Sequence, residues 1–335
     1  MAIISLSGIF NGGFPLPMKY SRRWKWENTW LVFSLVALLI LPWLLAAEFS
    51  PALKSAYGTA GQSVLLPLAF GLLWGIAQVT FGLGIDAVGM ALAFAVVMGL
   101  ACLFGSLIPV LVLSPSDLLH SRGLLLLISM PLLLGGLIVC GKAGNRRERE
   151  GWAQNVVKPS GKMSFMAGLG ICIFTGVFGA NLNLGFAFGG DIIRRSQALG
   201  GSAVTATYPL WALVLGAGFI PNLLYCSYLL SRNKSWRLFL QPDSRQELMI
   251  GIAMGVLWLA GIICYGIGAT LVGRYGPSLG FALFMAMSIL ASNLFGLLMG
   301  EWHLASAGTK RLLAAGVAII LVSVAVLNLG GIFNS

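Results

Sequence analysis

Residues able to hold a small polar solute are few in this chain, and several share a helical face. Trp74, Gln78 and Phe81 lie at i, i+4 and i+7, one side of a helix. Trp258 and Tyr265 repeat the i, i+7 interval. Aromatic faces cover C–H surface while a nearby amide answers hydroxyl groups, so this combination suits a small polyhydroxylated solute. Trp74 sits near the middle of its apolar run, which argues against an aromatic belt at a membrane–water interface. Ordinary packing accounts for a helical aromatic stripe as well, and both readings stay open. Asn183, Asn222 and Asn293 add amides inside apolar runs. Each must face protein or water, or join helices as polar glue. Asn181 and Asn183 are two residues apart and cannot share a face.

Proton-linked chemistry asks for an acid whose burial raises its pKa toward neutrality. No Asp or Glu lies in the middle of an apolar run, which leaves Glu27 and Asp86 as the coupling candidates, with Asp191 and Glu301 at run ends. Glu27 follows four basic residues and can equally pair with them at a helix N-terminus. Asp86, placed in the short link between two runs, is the only charge from Leu65 to Leu113. Catalytic chemistry is unsupported: there is no nucleophile–base pair, no Walker A and no GxGxxG after a strand. The five cysteines stand singly, so neither a metal nor a disulfide is expected, and no cofactor is implied. His120 and His303 fall in loops.

The elements that position these residues follow from composition. Of 335 residues, 58% are hydrophobic and only 9% charged, and the mean hydropathy is +0.91. A soluble domain carries about 25% charged residues. The chain is therefore predicted to be an all-α integral membrane protein whose first partner is the lipid bilayer. Charged and Pro/Gly breaks divide it into ten spans near 2–18, 29–47, 63–85, 88–112, 121–141, 163–188, 203–230, 247–272, 277–299 and 310–332. Gly12, Gly13, Pro15 and Pro17 break the first, so either that helix is short or the chain begins further upstream. The formal charge of +11 sits in short clusters between apolar runs, which excludes a nucleic-acid groove. Sixteen Lys and Arg fall on one side of these spans and five on the other. The positive-inside rule then predicts a multi-pass protein of the bacterial cytoplasmic (inner) membrane with both termini periplasmic.

The chain also repeats itself. Gly71, Trp74, Gly82, Gly84, Val88 and Gly89 recur 184 residues later as Gly255, Trp258, Gly266, Gly268, Val272 and Gly273. LAFAVVM at 92–98 is echoed by LGFALFM at 279–285, and IFNGGF at 9–14 by IFTGVF at 173–178. Spans 1–5 thus match spans 6–10. Five is odd, so the second half must enter the membrane inverted, the arrangement of secondary transporters. The predicted organisation is a first five-helix repeat at 1–145, a cytoplasmic linker at 146–162 and a second repeat at 163–335. Helices 3, 4, 8 and 9 are expected to line a central cavity.

Ten spans in two halves resemble the drug/metabolite transporter superfamily. Within it the chain is similar to the L-rhamnose–proton symporter family. The matching residues are KWENTW at 25–30, LLILPWLL at 38–45, LLPLAFGLLWGI at 65–76 and FGLGIDAVGM at 81–90. In the second half they are Cys172 to Thr175, Asn183, Asn222, Trp258, Tyr265 and GEW at 300–302. The resemblance implies uptake of a deoxyhexose driven by proton entry, with sugar and proton as partners. Gly261 and Ala286 stand where an amide-bearing residue and a histidine are expected. That departure keeps a metabolite or drug exporter of the same superfamily as the alternative. A non-transporting membrane scaffold is the third reading.

Overall fold

The computed structural model describes residues 1–50, 52–58, 62–88, 90–152, 164–241 and 244–332. Every regular element among them is helical. In chain order the α-helices are α1 (Ala2–Gly13), α2 (Trp26–Ser34), α3 (Leu41–Phe49), α4 (Leu53–Tyr57), α5 (Gln62–Val88), α6 (Met90–Leu113) and α7 (Ser121–Trp152). The second half holds α8 (Phe165–Gly179), α9 (Asn181–Phe188), α10 (Gly190–Ala198), α11 (Tyr208–Arg232), α12 (Ser244–Val272), α13 (Phe281–Leu298) and α14 (Ala307–Ile332). Among the described residues, eight stretches are long and apolar enough to cross a membrane, and the longest of them, Ser244–Leu298, contains two helices, α12 and α13.

Local sequence explains where the rods bend or stop. α1 ends at the Gly12-Gly13-Pro15 run, and a 3₁₀ turn, Leu16–Tyr20, replaces the second half of the predicted first span. At about 1.5 Å per residue its 12 residues reach about 18 Å, short of a ~30 Å hydrocarbon core. α2 and α3 form one rod through a π-helical turn, Leu35–Ile40, just ahead of Pro42. Pro42 offers no N–H and crowds the carbonyl one turn back, so the ladder slips by a residue. A second π turn, Gly276–Gly280, carries Pro277 between α12 and α13. The predicted span 163–188 is not one helix. It breaks after Gly179 and ends at Gly189, where an added Cβ would sit 2.3 Å from Leu210. Asp86 likewise departs from expectation: it lies inside α5, which runs to Val88, and its side chain is outside the described residues. The expected linker begins within α7, which continues to Trp152, and 153–162 lies outside the described residues.

Helices distant in sequence pack against one another. α1 lies between α12 and α13, and α8 between α5 and α6. The α2–α3 rod runs along α12 as α11 runs along α5, while α7 pairs with α14. Glycines permit these close approaches. A Cβ at Gly268 would stand 2.5 Å from Ile4 of α1, and one at Gly84, its counterpart 184 residues earlier, 2.8 Å from Cys172 of α8. Gly255 and Gly71 do the same, seating Val36 and Val214. Helix contacts in a bilayer lack a hydrophobic drive and depend on such close backbone approach.

The end of α7 and three basic loops meet at one end. Lys19 pairs with Glu301, which also binds Arg147 at 3.2 Å. Lys25 donates to the carbonyl of Asn233 at 3.2 Å. Glu150, at the end of α7, accepts from Ser306 and Thr309 ahead of and within α14.

Candidate functional site

Three layers of the molecule carry the polar and aromatic residues that the sequence singled out. In the first, Trp74 of α5 and Trp258 of α12 stack on one another, with ring centroids 5.6 Å apart and 19° between planes. Both are buried, at 3% and 6% exposure, and Phe33 of α2 meets Trp258 edge-on at 6.1 Å. The predicted open stacking faces are thus turned on each other. Gly218 of α11 makes the space, since a Cβ there would lie 2.8 Å from the Trp74 ring.

The second layer joins Asn183 and Tyr265. The Asn183 amide nitrogen donates to the Gly105 carbonyl at 2.7 Å and to the Pro277 carbonyl at 2.6 Å. Its oxygen accepts from the Tyr265 hydroxyl. The π turn bends the chain at Pro277 and presents that carbonyl to α9. Tyr265 is enclosed by Phe186, Trp211, Phe281 and Phe284. Every polar atom of the pair is satisfied by protein, as burial requires. Asn181 instead donates to the Phe178 carbonyl at 2.7 Å, so the two asparagines diverge as their spacing predicted.

Phe81 and Asn293 are not brought into these layers, and Gln78 borders the first. Phe81 packs edge-on against Phe94 at 4.9 Å in a separate cluster with Ala93, Val97 and Cys172. It shares a helix face with Trp74, but α5 changes neighbours along its length, from α11 to α6 and α8. Gln78 is half-buried, one turn from Trp74. Asn293 spends its amide on the Ile289 carbonyl of its own helix, at 2.9 Å.

The third layer lies at the basic end. Glu27 is 4% exposed, and its Oε1 accepts from Ser235 Oγ at 2.7 Å and Asn233 Nδ2 at 2.9 Å. Glu247, at the start of α12, is equally buried. It accepts from Ser21 Oγ at 2.6 Å and from the backbone N–H groups of Arg22 and Arg23 at 2.9 Å. Each carboxylate therefore holds a loop about 200 residues away, Glu27 the one at 233–235 and Glu247 the one at 21–23. At Glu301, burial works to raise the carboxyl pKa, but the Lys19 hydrogen bond and the Lys19 and Arg147 charges outweigh it and hold the group below its ordinary range.

Sequence reasoning missed Glu247 and the bond from Trp30 Nε1 to Asn222 Oδ1 at 3.0 Å. It also missed Trp211, which stacks on Phe186 at 5.2 Å. Glu247 had a signal: it opens its apolar run as Glu27 opens another.

The L-rhamnose-proton symport protein family matches residues 4–332. The L-rhamnose-proton symporter of Klebsiella pneumoniae (strain 342) is 25% identical over 325 residues, covering 95% of this chain and 93% of its own. The symporters of Shigella dysenteriae serotype 1, at 25%, and Escherichia coli O1:K1 / APEC, at 24%, cover the same shares. This multi-pass membrane protein belongs to the L-rhamnose-proton symport protein family.

Proposed function

We propose that this protein is a secondary transporter that takes up a small neutral sugar, L-rhamnose, together with a proton. The observation that carries the reading is the family match along residues 4–332. The architecture is ten membrane helices in two inverted five-helix repeats, at 1–145 and 163–335, the first of them, α1, entering the membrane without crossing it as a single helix. Exchanged packing supports it, since α1 sits on α12 and α13 as α8 sits on α5 and α6. The protein resides in the bacterial inner membrane with both termini periplasmic, and the tied basic loops mark the cytoplasmic end.

The substrate site lies between the halves, built from Trp74, Gln78, Trp258, Asn183 and Tyr265. The stacked indoles part to take the sugar ring between them. A ring touching both faces needs them about 7–8 Å apart, because carbon contacts settle near ~3.5–4.0 Å. Phe81 and Asn293 belong to this site only if the helices rearrange. Coupling is carried by a carboxylate, with Glu27 and Asp86 as candidates.

An exporter of the same superfamily is the second reading, favoured by the aromatic character of the centre and by Ala286, which is buried without any polar group. Uptake of radiolabelled L-rhamnose into proteoliposomes separates the two. Accumulation under an inward proton gradient, abolished by an uncoupler, supports the first reading. Absence of rhamnose accumulation, with outward flux of other solutes, overturns it.

A further inference from the structure

The two repeats are alike in sequence and unlike in packing. Residues 279–285, leading into α13, are all buried, whereas in the equivalent stretch 92–98 of α6 only Ala93 and Val97 are. Residues 262–267 of α12 present a buried face through Ile262, Tyr265 and Gly266. Their counterparts on α5, residues 78–83, are every one partly exposed, although six successive residues point all round a helix. A Cβ built at Gly82 would meet no described atom within 4 Å. The apolar cores divide the same way. Phe81, Ile85, Val97 and Cys172 belong to a small cluster of α5, α6 and α8, apart from the main core that holds Tyr265, Phe281 and Phe284. Thr80 and Thr175 share a hydrogen bond at 2.7 Å that ties α5 to α8 within this arm. Ala95 and Met98 of α6 carry its link to the main core.

Polar groups follow the division. At the end away from the basic loops, Asn183 and Tyr265 spend every polar atom on protein. Toward the basic end, the Gln78 amide and Asn293 Oδ1 have no partner among the described residues and are not sealed from solvent. A partly exposed amide at membrane depth must face water, because lipid cannot satisfy it.

We propose that the protein stands open toward its basic, cytoplasmic end through a wet crevice beside α5 that reaches Gln78, and that Asn183 latches the opposite end shut. Its amide joins α9 to α6 of the first repeat at the Gly105 carbonyl and to the Pro277 carbonyl of the second, while Tyr265 holds its oxygen. The internal repeat supplies the other state: the α1, α12 and α13 group loosens as the α5, α6 and α8 arm closes. Asn183 must then release both carbonyls, which frees its amide for a sugar hydroxyl. Gln78 thus meets substrate from the inside, and Asn183 and Tyr265 meet it from the outside. This inference rests on the inverted-repeat transporter reading.

Single cysteines in a cysteine-free full chain, treated with a membrane-impermeant methanethiosulfonate, read the state without substrate. Gly82→Cys is expected to react at least about tenfold faster in inside-out vesicles than in intact cells, and Ser278→Cys, 2% exposed near the latch, to be slow in both. Adding Asn183→Ala removes the latch. Labelling of Ser278→Cys in intact cells should then speed about tenfold while that of Gly82→Cys in vesicles slows. Tyr265→Phe, which keeps both carbonyl bonds, should shift both rates the same way by less, and it decides the matter if Asn183→Ala fails to fold. A Gly82→Cys chain that stays unreactive from the cytoplasmic side overturns the inference. So does a Ser278→Cys that stays protected when the latch is weakened. The expected labelling in a protein that moves no sugar in proteoliposomes overturns the transport reading and leaves the crevice and latch standing.

Discussion

Trp74 and Trp258, 184 residues apart and equivalent in the internal repeat, stack face to face with ring centroids 5.6 Å apart. Residues that the sequence offers as two separate stacking surfaces are one closed contact. Their stacking should register as coupling. The double-mutant cycle of Trp74→Phe and Trp258→Phe, read by thermal unfolding in detergent, is expected to give about 0.5–1.5 kcal/mol. Additive effects would show that the rings merely share a neighbourhood.

Truncation separates packing from binding. Trp74→Ala removes a ring with 3% exposure and should lower stability by about 3–5 kcal/mol, seen as reduced folded yield. Gln78→Ala, at a half-buried position, should leave yield unchanged and weaken the apparent affinity for L-rhamnose roughly 5- to 150-fold, equivalent to about 1–3 kcal/mol. A silent Gln78→Ala in transport would remove that residue from the site.

Tyr265→Phe deletes the one donor to Asn183 Oδ1 and leaves that oxygen buried and unpaired. The expected cost is about 1–3 kcal/mol in thermal stability. An unchanged melting temperature would mean that the amide finds another partner.

Gly84→Ala places a methyl 2.8 Å from Cys172 Sγ, too close for the α5–α8 contact to persist unaltered. Folded yield is expected to drop, and Cys172→Ala in the same chain should restore it by removing the sulfur. Failure of that rescue would put the strain elsewhere on α8.

Single cysteines in a cysteine-free background test the orientation. Residues introduced at Lys234 and Lys310 should be labelled only after the membrane is opened. One at Lys54 should react from outside. Labelling of the first two in intact cells would invert the topology.

The pH response of Glu301 follows from its two cations. Its carboxyl pKa is lower in the folded chain than in the unfolded one, so its contribution is present above the ordinary carboxylate range and is lost as pH falls through the folded value. Glu301→Gln should flatten the acid limb of thermal stability, and added salt should do so partly, because the ion pairs are about a third exposed. A variant with the parent's acid limb would show that another carboxylate controls it.

Much of the fold was written in the chain. Composition set the solvent: with 9% charged residues in long unbroken apolar runs, helices satisfy the backbone in an apolar medium within each segment. The 184-residue recurrence of Gly84 and Gly268 marked the places where another helix approaches closely, and the Gly12–Pro17 run stopped α1 where it was expected to. Basic clusters likewise told which loops share an end. Tertiary structure decided what each marked residue touches. A face shared by Trp74 and Phe81 is a property of one helix, but their partners belong to helices more than ten residues away in sequence, so spacing could not separate them. Asn183 and Tyr265 meet across two helices, and Pro277 turns its carbonyl toward the same amide. Trp74 finds Trp258, and Glu27 finds Ser235, across about 200 positions, and no local periodicity records a pairing at that range. Helices form from nearest neighbours, whereas a site between two halves forms from the distances that packing sets.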